Sequence, residues 1–145
     1  VRNAMEDGSV VPGAGAFPIA LHSHLLRWAA PGGPGAVEGR VRLGVQAFAE
    51  ALLVIPKTLA TNAGLDAQAA VVAVQEEQGR VPEHAHWGLD LHTGQPMDPA
   101  VLGIWDNYAV LRHLLSACTV MASNLLLVDE VMRAGRSSLK NEPAQ

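Results

Sequence analysis

Apolar residues recur along this chain at helical rather than strand spacing. The clearest run is Val41, Val45, Phe48, Leu52 and Ile55, whose alternating four- and three-residue intervals build one apolar stripe. Arg40, Arg42, Gln46 and Glu50 fall mostly off that stripe. Pro56 interrupts the run, residues 57–62 read as a further turn or two of helix, and Gly64 supplies a stop. Upstream, residues 16–30 form a first helix candidate, in which Pro18 is tolerable because it lies within the opening turn. Asp66 is a good N-cap for an Ala- and Val-rich helix over 67–78 that Gly79 would end. From 107 to about 133 the chain returns to helix, apolar on most faces and therefore expected to be mostly buried.

Between these segments the punctuation is irregular. Residues 31–35, Pro-Gly-Gly-Pro-Gly, predict a flexible surface loop open to insertion, and residues 80–87 a second loop. Leu89-Asp90-Leu91-His92 alternates apolar and polar positions, and Thr93-Gly94-Gln95-Pro96 follows with turn chemistry, which predicts a short strand and hairpin. Asp98-Pro99 and Gly103 mark a further irregular stretch. Residues 1–7 read as the tail of a helix stopped by Gly8, so the chain is expected to start inside a helix, after processing or as a piece of a longer reading frame. The residues after Gly135 are polar and expected to fray. The sequence has no internal repeat, sustained heptad pattern or low-complexity tract. The fold class this predicts is all-α, mainly helical, with one small β-hairpin.

Composition narrows the function classes. At 145 residues, 49% of them hydrophobic, the chain can build one domain with a real core. A formal charge of -4, with ten Lys and Arg scattered along the sequence, leaves no basic stripe for a phosphate backbone, so no nucleic-acid partner is expected. Cys118 is the single cysteine, which rules out an intrachain disulfide framework and fits a reducing compartment such as the cytoplasm. The most apolar run, 114–128, is interrupted by Ser116, Thr119, Ser123 and Asn124 and is short for a bilayer, so no membrane is expected and the run reads as a buried helix.

Candidate chemistry is sparse. Val10-Val11-Pro12-Gly13-Ala14-Gly15-Ala16 puts two glycines in front of a helix, where bare backbone and unpartnered first-turn amides can receive phosphate, ribose or base edges. Alone, such a turn is a weak signal. Asp106 follows Gly103-Ile104-Trp105 at a helix start, so it can be an N-cap or can accept hydrogen bonds from the vicinal hydroxyls of a ribose. His84 and His86 flank Ala85 next to Trp87, but no third or fourth metal ligand lies at suitable spacing. His113 and Cys118, five positions apart on one helix, point in different directions, and Cys118 reads as a small core residue. His22 and His24 read as solvated. Asp129 and Glu130, being adjacent, read as structural or salt-bridged, and Ser137-Ser138 has no base nearby in sequence.

Several longer segments carry a family likeness that spacing does not reveal. Val11-Pro12-Gly13-Ala14-Gly15-Ala16, Leu43-Gly44-Val45-Gln46-Ala47-Phe48-Ala49, Leu52-Leu53-Val54-Ile55-Pro56-Lys57 and Asn62-Ala63-Gly64-Leu65-Asp66 resemble the C-terminal part of a group II chaperonin subunit. Leu89 to Met97, Gly103-Ile104-Trp105-Asp106-Asn107-Tyr108 and Leu127-Val128-Asp129-Glu130-Val131-Met132-Arg133-Ala134-Gly135 resemble the same family, nearest to the zeta type of the cytosolic T-complex protein 1 ring. The likeness runs over almost the whole chain. It implies the end of an intermediate-domain helix at 1–8, the C-terminal part of an equatorial nucleotide-binding domain at 9–135 and a polar tail at 136–145.

The resemblance also implies roles. Gly13, Ala14 and Gly15 would line the nucleotide pocket through their backbone, Asp106 would contact the ribose, and the hairpin around Thr93 and Gly94 would lie near the adenine side. The implied cofactor is ATP, and the implied function is ATP-dependent protein folding in the cytoplasm within a hetero-oligomeric ring of chaperonin subunits. Unfolded clients would be held by an apical domain that these residues do not include. The family's Gly-Asp-Gly-Thr-Thr phosphate loop, its magnesium-coordinating aspartate and its water-orienting aspartate have no counterpart here, so no ATP hydrolysis by this chain alone is expected. The alternative is a non-catalytic helical interaction module or inactive truncated form. Pro18, where the family pattern is acidic, and the 31–35 and 84–87 loops depart from it. With N-terminal partner helices missing, the apolar helix over 107–133 should lack part of its cover and favour association.

Overall fold

In a computed structural model, residues 2–132 are described, and they divide into two units between Ala109 and Val110. The first unit begins with α1 (Arg2–Asp7) and β1 (Val10–Pro12), continues through α2 (Ala16–Trp28), α3 (Arg40–Leu52), α4 (Val54–Asn62) and α5 (Ala67–Arg80), and ends with β2 (Gly88–Leu89), β3 (Pro96–Met97) and β4 (Trp105–Asn107). A 3₁₀ turn at Pro82–His84 precedes β2. Two small antiparallel pairs result, β1 with β4 and β2 with β3, so the mainly helical class with a hairpin holds. A second strand pair, closed by residues almost a hundred positions apart, was not legible as an alternating pattern.

The helix boundaries follow their predicted punctuation with instructive exceptions. Gly8 stops α1 with φ of +61°. The α3–α4 break falls at Leu53, three residues before Pro56, whose ring has no N–H to return to the Leu52 carbonyl. After α4, Gly64 takes φ of +76°, its N–H donates to Thr61 and that of Leu65 donates to Ala60, which satisfies carbonyls the helix leaves open. Asp66 caps α5, its Oδ1 accepting from the N–H groups of Gln68 and Ala69 at 3.0 and 3.1 Å. Gly79 does not end α5. The helix continues to Arg80, whose guanidinium pairs with Glu77 one turn back, and the extended Val81 terminates it ahead of Pro82.

Ile19, Leu53, Ala60, Ala70, Val71, Val74 and Leu89 form the core, so α2, α4, α5 and the first hairpin strand meet at one apolar centre. Two expected faces are corrected. His22 is buried rather than solvated, because it continues the Ala16, Ile19 face of α2, and its Nδ1 lies 3.0 Å from the amide nitrogen of Gln75 on α5; His24 is exposed. Val41 is 63% exposed, although it opens the apolar stripe of α3. Val45, with Arg42 and Gln46, lines a cleft against Leu26 and Ala29 at the end of α2.

The 31–35 loop is tied back rather than free. Gly35 donates to the Trp28 carbonyl, and a side chain at Gly35 would collide with the Trp28 indole.

The second unit contains most of α6 (Tyr108–Leu126). It is shorter than the predicted 107–133: tight bonds from Leu127 to Asn124 and Val128 to Leu125 close its last turn. The expectation that it is buried is overturned, since α6 carries no buried residue, and Cys118 is exposed rather than a core residue. Ser116, Thr119 and Ser123 turn their hydroxyls onto carbonyls one turn back, so each is satisfied within the helix itself. By length and composition α6, like Arg40–Asn62, could cross a membrane, so shortness alone excludes nothing. Arg133, Ser137, Ser138 and the 136–145 tail lie outside the described residues.

Candidate functional site

The glycine turn and Asp106 are brought together by the β1–β4 pair. Val10 pairs with Asn107, Val11 with Asp106 and Pro12 with Trp105, and the ladder runs on through the Gly13 N–H, which donates to the Ile104 carbonyl at 3.0 Å. Directly opposed residues of an antiparallel pair share a face. Asp106 therefore stands beside the strand that delivers the turn. It is not the N-cap of α6, since it lies inside β4 and the helix begins two residues later.

The turn itself is conformationally unusual. Ala14 and Gly15 both take left-handed angles, φ of +55° and +72°. A single such alanine costs free energy and persists where its surroundings impose it. Here the surroundings are tight: a β-carbon on Gly13 would come within 2.9 Å of Ile104 Cγ2, and one on Gly15 within 3.1 Å of Pro56 Cβ. The Ala14 carbonyl accepts from Leu89 N–H at 2.9 Å, and the Gly13 carbonyl from Ala16 N–H at 3.0 Å. Among the described residues, the N–H groups of Ala14 and Gly15 donate to nothing. The turn thus presents two unclaimed donors at the entrance of α2.

Asp106 complements them. It is half-buried, its carboxylate accepts no hydrogen bond among the described residues, and desolvation raises its pKa above the ordinary carboxylate value. A ligand offering hydroxyl donors would supply what burial has removed.

Thr93 and Gly94 sit elsewhere on the same hairpin. The Thr93 hydroxyl donates to Asp90 Oδ2 at 2.7 Å, while Asp90 Oδ1 accepts from His92 N–H, so the threonine is occupied in closing the turn. These bonds, the one from His92 first, hold the Asp90 carboxyl below its ordinary pKa. Gly94 takes φ of +73° and faces Leu65 in the turn between α4 and α5. It is the base of the hairpin, Gly88 and Leu89, that touches the glycine turn. Sequence reasoning missed Gly88 and read Leu89 only as a strand residue, although a glycine following Trp87 at a strand start was a visible sign of close backbone approach.

His84 and His86 do not converge. His84 Nδ1 lies 2.6 Å from Glu77 Oε1 and its ring stacks on Trp87, whereas His86 Nε2 lies 3.3 Å from Asp98 Oδ1. Among the described residues no three His, Cys, Asp or Glu side chains could hold a metal together.

Comparison with known proteins identifies the lineage. Residues 1–136 match the TCP-1/cpn60 chaperonin family. The chain belongs to that family. It is 53% identical over 141 residues to T-complex protein 1 subunit zeta-2 of Mus musculus, and 54% identical over 140 residues to the Homo sapiens subunit of the same name. Each match covers 97% of this chain and 25% of the relative, so the chain spans about a quarter of the length of the curated relatives it matches. Among solved structures, the open-state monomer of a group II chaperonin from Methanococcoides burtonii superposes with a TM-score of 0.74 at 30% identity. That match covers 84% of this chain and 29% of the other.

Proposed function

We propose that these residues form the adenosine-side wall of the nucleotide pocket in a chaperonin subunit. Residues 1–8 would be the end of an intermediate-domain helix and 9–135 the C-terminal part of an equatorial domain. The observation that supports this reading is the β1–β4 register, which pairs Asp106 with Val11 on the strand that leads into the Gly13–Gly15 turn. Asp106 would accept from the ribose hydroxyls, and the backbone of Gly13, Ala14 and Gly15 would line the same pocket. Thr93 and Gly94 would contribute to the adenine side through the shape of the hairpin, since the Thr93 hydroxyl is already engaged.

ATP is the proposed cofactor, and the proposed role is ATP-dependent protein folding in the cytoplasm, with other chaperonin subunits of a hetero-oligomeric ring as partners. Hydrolysis by these residues alone is not expected, because phosphoryl transfer needs positioned charge and metal around the γ-phosphate and the family's phosphate loop and aspartates have no counterpart in this sequence. Family membership favours α6 as a helix that packs against protein.

Isothermal titration with ATP and magnesium, paired with a hydrolysis assay, tests the reading. Micromolar binding without turnover is expected. Silence in both assays would leave the second reading, a non-catalytic interaction module, which the exposed apolar surface of α6 favours.

A further inference from the structure

We infer that Gln78 is the positioning residue of the glycine turn: its side chain clamps the start of α2 to the loop that leads into β2, and so fixes the geometry of the Ala14 and Gly15 donors. This inference rests on the nucleotide reading only for its consequence, not for its geometry.

Gln78 lies in the last turn of α5. Its Nε2 donates to two main-chain carbonyls from different segments, Ala16 at 3.3 Å and Trp87 at 2.7 Å. Ala16 is the first residue of α2, directly after the glycine turn, and Trp87 directly precedes Gly88. The main chain completes the connection, because Leu89 N–H donates to the Ala14 carbonyl at 2.9 Å. Four segments therefore close on one another: glycine turn, α2 start, hairpin base and α5. Gln78 is the only described side chain that bonds to both the α2 start and the hairpin approach.

The clamp matters because the turn is not a resting conformation of its own sequence. Ala14 at φ of +55° is held by its neighbours, and Gly88 meets it without a side chain between them. If the hairpin base moved away, Ala14 would lose both its carbonyl partner and the wall that imposes its angle. The Trp87 indole also stacks on the His84 ring, which lies 2.6 Å from Glu77 Oε1, so the residue that Gln78 holds has a second tie to α5. Shape alone does not supply this. A methionine would fill the same volume but would leave the Ala16 and Trp87 carbonyls without the donor, and a glutamate would set an anion against both.

The test uses Gln78→Met and Gln78→Glu in the whole protein, at a temperature well below the melting point of each. Two readouts are taken: amide exchange at Leu89, and equilibrium binding of ADP. Exchange at Leu89 should accelerate at least tenfold in Q78M and further in Q78E, while exchange in α4 stays as in the parent. The ADP dissociation constant should rise at least threefold in the same order. Unchanged Leu89 exchange in folded Q78M overturns the clamp. Faster exchange with unchanged ADP affinity overturns its role in positioning the turn for a ligand. If the parent protein binds no ADP yet Q78M accelerates Leu89 exchange, the nucleotide reading falls and the clamp itself is upheld. A uniform loss of stability, with exchange raised equally throughout, would mark Gln78 as merely structural and overturn the proposal.

Discussion

Gly88 packs against Ala14 so closely that a β-carbon added to it would lie 2.7 Å from the Ala14 carbonyl oxygen and 2.9 Å from the Ala14 methyl. Both neighbours are at or next to main chain, and the alanine is already left-handed, so nothing nearby can yield cheaply. Gly88→Ala should destabilise the protein by about 1–3 kcal/mol, the usual range for overpacking a tight site. Because the displaced atoms belong to the glycine turn, ADP affinity should fall as well, measured at a temperature where the variant remains folded. Denaturant melts and nucleotide titration together check this, and a variant that loses stability with affinity intact would separate the hairpin base from the site.

Asp106 makes an opposite pair of effects measurable. Burial without a hydrogen bond raises its pKa, so the folded state takes up its proton more readily than the unfolded one. Its contribution to stability therefore declines as the pH rises through the interval from the ordinary carboxylate value to the raised one. Asp106→Asn should remove that decline, leaving the protein equally or more stable at neutral pH. The same change should weaken ADP binding on the order of tenfold, because a hydrogen bond to a charged acceptor is lost. Stability that drops along with affinity would mean Asp106 serves the fold and not a ligand.

The local signals that were legible in the sequence are those with short-range causes. The Asp66 cap, the Gly8 and Gly64 stops and the Pro56 break each depend on residues within one helical turn, and each appears where the residue type dictates. Gly13, Ala14 and Gly15 were legible as a turn, but their meeting with Asp106 depends on pairing across more than ninety residues, which no local pattern encodes. The family likeness implied a shared pocket for these residues and said nothing of the strand pair that joins their segments. His22 and Gln78 were unreadable for a related reason: each polar side chain is accounted for only by a partner on another element, Gln75 for the first and two carbonyls for the second. Helix α6 misled in the other direction, since an apolar face announces that something should cover it and says nothing about whether this unit contains the cover.

His22 predicts a pH response with its own sign. Desolvation is the main cause that lowers its pKa, the charge of Lys57 adds to it, and Glu50 opposes both. A histidine buried neutral binds fewer protons when folded than when unfolded. Its contribution is complete above the unfolded value of about 6.5 and is lost progressively as the pH falls below it toward the lowered folded value. The bond with Gln75 holds in the neutral form, whose Nδ1 accepts from the amide. His22→Gln should therefore flatten the stability profile between pH 7 and 5. Thermal melts across that range check the slope, and an undiminished acid loss in H22Q would assign it to other groups. Glu77, Asp90 and Asp98 have lowered values, so their contributions are present above the usual carboxylate range and disappear only at lower pH.

The exposed end of α6 predicts how the chain behaves in solution. Leu125 and Leu126 are 74% and 86% exposed, and Val120 and Met121 one turn earlier are also open to solvent. Such a cluster approaches the size at which apolar surface drives association rather than being tolerated singly. The 145-residue chain should self-associate in a concentration-dependent way, and Leu125→Lys with Leu126→Lys should shift it toward monomer in sedimentation velocity runs. Since neither side chain is buried, the double substitution should leave the melting of the 1–109 unit nearly unchanged, within about 0.5 kcal/mol. A loss of cooperative melting in the lysine variant would show instead that the end of α6 is covered in solution. A parent chain that stays monomeric at high concentration would remove the case for an unpartnered helix, and with it the interaction-module reading.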